Sequence, residues 1–308
     1  MNTAISYNVY GENSDFALQA AIDETYRLEE MLSRFRPGSD ISRINSSAGI
    51  KFEKVGTETF ELLNKAKKIS KCCNGLFDVT IGPLSLLWTE ARASSEVPNG
   101  VDIKNALTLL SYKGLILNRL NKSVRLKKRG QSIDLGGIGK GFAADSVIDV
   151  LRKREIISAF VNLGGNVATL GAKPDSSPWR VGIRHPRREE KLIGAVSIIN
   201  KSVVTSGDYQ RFFSGGDGKR YHHILNPETG YPTESQLISA TVVSDSSLIA
   251  DALSTILFAS SIENGIKALN SFAGTEAILI DDKLSLYITR GLVNLFEPYE
   301  KIEINLIN

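Results

Sequence analysis

The sequence predicts an α+β fold, a single compact unit of mixed and antiparallel sheets with flanking helices that takes in residues 1–308. Three observations lead there. Segments with apolar residues at helical spacing lie near the start and again around residues 247–272. Short alternating segments bounded by Gly and Asn turns fill much of the remainder. No linker-like run or internal repeat divides the chain.

Composition narrows the function classes. Hydrophobic residues make up 42% and charged residues 23%, so a disordered or fibrous chain is excluded. The net charge of +3 is too small to signal a nucleic-acid partner, and the basic runs at 127–129 and 184–188 lie beside turn residues and acids, as solvated loops do. No window reaches the roughly 18 apolar residues of a membrane helix, so no transmembrane segment is expected. MNTAISYNVYG is not a basic-then-apolar leader, and the sequence as it stands reads as cytoplasmic, a trimmed export signal being the alternative. Cys72 and Cys73 are neighbours, which suits a reduced helix end better than a disulfide.

In chain order, residues 4–10 read as a strand and Asn13 or Ser14 as the cap of a helix running to about Ser33. Pro37 and Gly38 in LSRFRPGSDISRIN stop that helix, and Ser39 or Asp40 caps the turn behind them. The Arg and Ser of this segment leave a plain connection and a ligand-facing loop both open. A second helix covers 57–73 and stops at Gly75. LFDVTIGPLSLLW follows, an apolar run that Asp78 and a Gly-Pro turn interrupt, which is unusual for core. Residues 115–118, 123–127 and 132–135 form a meander.

IDLGGIGKGFAADSVIDVL then reads as strand, glycine loop and helix. Gly136, Gly137, Gly139 and Gly141 let backbone approach a ligand closely, and the N–H groups near Phe142 suit phosphate oxygens. The Walker pattern fails because Lys140 precedes Gly141 and Phe142 follows it. The dinucleotide pattern fails on spacing. A phosphate loop and a structural turn both remain open.

Strands at 157–162, 167–170, 179–183 and 192–199 lead to a hairpin, 203–213 with 221–225, around Ser214-Gly215-Gly216-Asp217-Gly218. Strand alternation places His223 and Leu225 on one face and His222 and Asn226 on the other. The helix LIADALSTILFAS carries Asp251 and Thr255 four residues apart on one face. A buried carboxylate needs a partner. One reading pairs Asp251 with a Lys or Arg and lets Thr255 bond its own i−4 carbonyl; the other is a hard-cation site in which carboxylate, hydroxyl and a backbone carbonyl offer oxygens to Mg²⁺. A helix at 262–272 and strands at 277–280, 285–289, 293–296 and 301–306 complete the framework.

Taken together, FRPGSDISRIN, FDVTIGPL with Leu87-Trp88, IDLGGIGKG, VNLGG, WRVGIRHP, TSGDYQRFF, HHILNPETGYP and ADALST resemble, in order, the blocks of the ApbE-type FAD:protein FMN transferases. The resemblance spans nearly the whole chain and implies a single α+β unit with a flavin site between its parts. It implies Mg²⁺-dependent transfer of the FMN moiety of FAD to a Thr or Ser hydroxyl of an acceptor flavoprotein, with release of AMP. By this resemblance Asp251, Thr255 and the Gly137 carbonyl match metal ligands, and Asp134 and Lys140 match loop positions that contact FAD. Leu76, Phe77 and Asp78 match a stretch lining the flavin, Met1 and Leu225 further flavin-contacting positions, and His223 the general base. Three departures stand out. Asn226 replaces the family's usual Asp, which keeps an Asx turn without its charge; Phe35, at a flavin-contacting position, replaces a frequent Tyr; and the chain starts at the family's first core strand where many bacterial relatives carry a leader. The competing readings are a Mg²⁺-dependent FAD pyrophosphatase and a non-catalytic FAD carrier.

Overall fold

Why the chain breaks where it does is visible at its helix ends. In the computed structural model, which describes residues 3–209 and 211–308, the helices are α1 (Ser14–Leu32), α2 (Asp40–Ser46), α3 (Thr57–Cys72), α4 (Gly82–Ser94), α5 (Gly100–Leu107), α6 (Gly139–Arg152), α7 (Ser247–Ala259) and α8 (Ile262–Leu269). Side chains that accept the unpaired first N–H groups set several starts. Ser39 Oγ accepts from Ser42 N at 2.9 Å ahead of α2. Asn99 Oδ1 accepts from Val101 N and Asp102 N at 3.0 and 2.9 Å ahead of α5, a helix the sequence reading passed over. Cys72 and Cys73 are free thiols at the end of α3, as expected.

The chain divides into two compact units. The first takes Met1–Arg27, Ile138–Gly207 and Ser235–Asn308. Its eight-stranded sheet runs in the order 5–10, 158–163, 166–170, 202–207, 237–244, 276–281, 286–289 and 304–307. Neighbours are antiparallel except the last pair. Val203, Val243, Ile278 and Ile280 share a core with Trp179, Val181, Ile183 and Val196 of a three-stranded sheet built from 296–298, 192–198 and 179–184. Successive strand residues face opposite ways, so Ser206, three residues after Val203, turns to α7 and bonds Ser254 Oγ at 2.9 Å. Covered on both sides, the 237–244 strand is buried along its whole length.

The second unit takes Leu28–Gly137 and Asp208–Glu234. It holds α2 to α5, an antiparallel sheet in the order 53–54, 123–126, 115–118, and a two-stranded ribbon. Trp88 of α4 anchors a core with Leu84, Ile103 and Leu225, stacks on Tyr221 at 5.4 Å between centroids, and donates its indole N–H to Gly230 O at 2.7 Å.

Several expectations change. The strand expected at 293–296 begins only at Phe296 and runs to Pro298, residues 293–295 forming a turn. The strand expected at 132–135 is a single bridge, Ile81 to Ser132, because the Asn45 side chain takes both backbone groups of Ile133, at 3.0 and 2.7 Å. The expected hairpin is also absent in its full length. Ser202–Gly207 belongs to the large sheet, and only Phe213–Ser214 and Arg220–Tyr221 pair locally. Residues after Tyr221 close a loop of their own, with Thr233 N donating to Ile224 O at 2.9 Å and Asn226 N to Tyr231 O at 2.8 Å. His223 therefore sits on a bend, and strand alternation does not govern it.

One glycine of the 134–141 loop has a packing explanation. Gly141 lies inside α6, buried, and a Cβ there would stand 2.3 Å from Ser247 O and 2.8 Å from Asp251 Cβ of α7. Gly141→Ala should lower stability by about 1–3 kcal/mol through this overlap. Urea unfolding checks it against Gly216→Ala, whose Cβ would meet nothing within 4 Å and whose expected change is within about 0.5 kcal/mol.

Candidate active site

The close approach of α6 and α7 builds the first part of the site. Asp145 of α6 accepts from Ser247 N at 2.6 Å, Leu248 N at 3.1 Å and Ser246 Oγ at 2.7 Å. A carboxylate from one helix thus satisfies the orphan donors of the other and complements the positive end of its dipole. That contact sets the register of α7, and one turn further on it brings Asp251 to Gly141, whose N–H donates to Asp251 Oδ2 at 2.9 Å. Lys140 Nζ stands 3.5 Å from Asp251 Oδ1. Asp251 is 4% exposed. Thr255 Oγ1 donates to the Asp251 carbonyl at 3.3 Å and lies 3.5 Å from Ser206 Oγ.

Both features of the plainer sequence reading, the lysine partner and the back-bonded threonine, are therefore present. The donor set also suits a hard cation: one buried carboxylate and a nearby hydroxyl, all oxygen, match an ion such as Mg²⁺ that keeps several waters and takes phosphate oxygens. Among the described residues no cluster of three or more His, Cys, Asp or Glu could hold a metal ion, so a cation here would draw on hydroxyl, carbonyl and water oxygens besides Asp251. Ser206, which touches Thr255, escaped the sequence reading; its only signal was its place in TSGDYQRFF.

In the second unit Asp134 opens the glycine loop. Its Oδ1 accepts from Gly136 N at 2.8 Å, an Asx turn, and its Oδ2 lies 3.1 Å from Arg34 Nη1. The Arg34 guanidinium also covers the Phe35 ring, 4.7 Å from its centroid. Phe35 is 74% exposed and lines an open cleft of about 460 Å³ with Arg34, Pro37 and Arg43. Gly137 lies half-buried in the turn before α6. Asp78 is buried, accepting from Thr80 N and Oγ1 at 2.7 and 2.8 Å through Oδ1 and from Tyr112 N at 2.7 Å through Oδ2. Burial pushes its pKa up, against the pull of these bonds. Its carboxylate therefore holds the shape of the 76–80 stretch, in which Leu76 is half-buried and Phe77 is buried with its N–H on Cys73 Sγ at 3.2 Å. Met1 lies outside the described residues.

The two adjacent histidines have different surroundings. His222 is half-buried with Nε2 at 3.0 Å from Thr233 O, and its Nδ1 accepts from Ile224 N at 3.3 Å, which assigns the proton to Nε2. Burial pushes its pKa down, and the Thr233 carbonyl opposes that only in part. His223 is exposed. Leu225 is buried in the Trp88 core, and Asn226 Oδ1 accepts from Glu228 N at 2.7 Å and Thr229 N at 3.3 Å, the Asx turn expected of it.

The fold and these residues together describe an α+β protein with a carboxylate, a lysine and a glycine loop gathered at a helix start. A family model described as the ApbE family matches residues 1–279. A FAD:protein FMN transferase of Klebsiella pneumoniae (strain 342) is 38% identical over 89% of this chain and 85% of its own length. One of Treponema pallidum (strain Nichols) is 32% identical over 96% and 86% respectively. Among solved structures, the ApbE protein of Thermotoga maritima superposes with a TM-score of 0.86 at 30% identity, over 95% of this chain and 96% of that one. The chain belongs to the ApbE family.

The depressed pKa of His222 gives stability a pH dependence. The folded chain binds that proton less tightly than the unfolded chain, so its contribution is full above the usual value of 6.5 and is lost as the pH falls through the lowered folded value. Urea unfolding at pH 8 and at pH 5.5 should show a smaller acid loss in His222→Gln than in the parent. Equal losses would place the burden on other groups.

Proposed function

We propose that this protein transfers the FMN moiety of FAD to a Thr or Ser hydroxyl of an acceptor protein and releases AMP, with residues 1–308 serving as one catalytic domain. Membership of the ApbE family and the relatives bearing the name FAD:protein FMN transferase support this reading. The observation that carries it is Asp251, a buried carboxylate held between a backbone N–H and a lysine at the start of α6.

Asp251, Thr255 and the Gly137 carbonyl would hold Mg²⁺, whose charge offsets that of the FAD pyrophosphate. Lys140 and the first N–H groups of α6 add positive potential for the same phosphates. Asp134 and Lys140 contact FAD, while Met1, Phe35, Leu76, Phe77, Asp78 and Leu225 border the flavin. His223 accepts the proton of the acceptor hydroxyl as its oxygen bonds to the FMN-side phosphorus; the bridging P–O bond breaks and AMP departs with the bridging oxygen. Its exposure suits a base whose hydroxyl arrives on another protein. Among the described residues no helix is long and apolar enough to cross a membrane.

The test mixes protein, FAD, Mg²⁺ and an acceptor domain and follows flavin fluorescence through denaturing electrophoresis. His223→Ala should keep FAD affinity while transfer falls by roughly 10²–10⁴. Parallel loss of binding and transfer would make His223 structural. Asp251→Ala should abolish Mg²⁺-dependent turnover, and activity left intact would remove Asp251 from the metal set.

A further inference from the structure

The two oxygens of Asp251 are held by partners of different mobility. Oδ2 accepts from Gly141 N at 2.9 Å, a donor fixed inside a buried helix turn whose neighbour across the contact is the α7 backbone. Oδ1 faces Lys140 Nζ at 3.5 Å, outside the 2.7–2.9 Å typical of a charge-assisted hydrogen bond. Lys140 sits on a flexible four-carbon stem with its side chain 26% exposed, whereas that of Asp251 is 5% exposed. The Asp251 carbonyl is already engaged by Ser254 Oγ at 2.9 Å and Thr255 Oγ1 at 3.3 Å. Oδ1 is thus the oxygen whose counter-charge can leave, and Lys140 is the group that must do so.

We infer that Lys140 competes with the divalent cation for Asp251, so that its ammonium sets the affinity of the cation site and moves to phosphate oxygens when the cation binds. This rests on the reading of Asp251 as a metal ligand given above. A cation bound to Oδ1 would lie beside the ammonium, and two like charges in a partly buried place repel with little screening. Displacement costs less when a second anion receives the lysine, and the pyrophosphate of FAD is such an anion. Lys140 therefore couples the two ligands: each binds tighter when the other is present, by a shared factor that thermodynamic linkage makes reciprocal.

The experiment measures Mn²⁺ affinity by titration calorimetry and electron paramagnetic resonance on the full chain without FAD, in the parent, Lys140→Gln, Lys140→Arg and Asp251→Asn. Lys140→Gln should bind Mn²⁺ about tenfold tighter, equivalent to about 1.4 kcal/mol. Lys140→Arg, which keeps the charge, should stay near the parent, and Asp251→Asn should lose the site. The titration is then repeated with FAD and no acceptor in the His223→Ala background, which slows turnover. There FAD should tighten Mn²⁺ binding by a larger factor when Lys140 is intact than when Lys140→Gln is added. Unchanged or weaker Mn²⁺ binding in Lys140→Gln, with the site still lost in Asp251→Asn, would overturn the competition and leave the metal reading standing. An equal FAD effect with and without the lysine would overturn the coupling. Parent-like binding in Asp251→Asn would remove the metal reading, and this inference with it.

Discussion

The contact between α6 and α7 is the constraint on which the site depends. Three bonds to Asp145 tie the start of α7 to α6, and the missing side chain of Gly141 lets the two backbones meet. Only at that separation can Gly141 N reach Asp251 Oδ2 and Lys140 reach Oδ1. The large sheet fixes the other side of α7: Ser206, projecting from the 202–207 strand, bonds Ser254 and stands beside Thr255. A carboxylate that would be costly to bury alone is thus held by Gly141 N and Lys140, while the sheet braces the other side of its helix through Ser254 and Thr255.

The proposed chemistry divides between charge and proton transfer. Asp251, Lys140 and the start of α6 form a preorganised electrostatic environment, built from helices whose positions packing determines. The histidine assigned to the proton sits instead on an exposed bend, beside a half-buried neighbour engaged with Thr233. Trp88 supports that loop through the Gly230 carbonyl and the Tyr221 ring, and the Asn226 turn closes it. In the proposed transfer, a buried charge site would serve a small first substrate and an exposed base a second substrate that is a protein.

What could be read from the sequence follows the range of the interactions. α1, α3 and α7 were legible because their periodicity and stops are local, α7 having a local Ser246 cap as well, and the pairing of Asp251 with Thr255 followed from helical spacing alone. The glycine loop was half legible: its glycines were visible, but whether Gly141 serves a ligand or a helix contact depends on Ser247, far along the chain. The 132–135 segment looked like a strand because the Asn45 amide that takes its backbone bonds lies 88 residues away. The 203–225 hairpin failed for a similar reason: its first strand pairs with 237–244, and the His223 segment folds on Asn226 and Thr233. Beyond its place in TSGDYQRFF, Ser206 carried no local mark, since only the sheet directs it at α7.

The central claim is that the chain moves FMN from FAD to a protein hydroxyl. Mass spectrometry of an acceptor domain, with AMP quantified in the same reaction, tests it most directly. The account predicts one acceptor-bound FMN for each AMP released, through a phosphoester at a Thr or Ser. AMP and free FMN in equal amounts beside an unmodified acceptor would contradict it and make the protein a hydrolase of FAD.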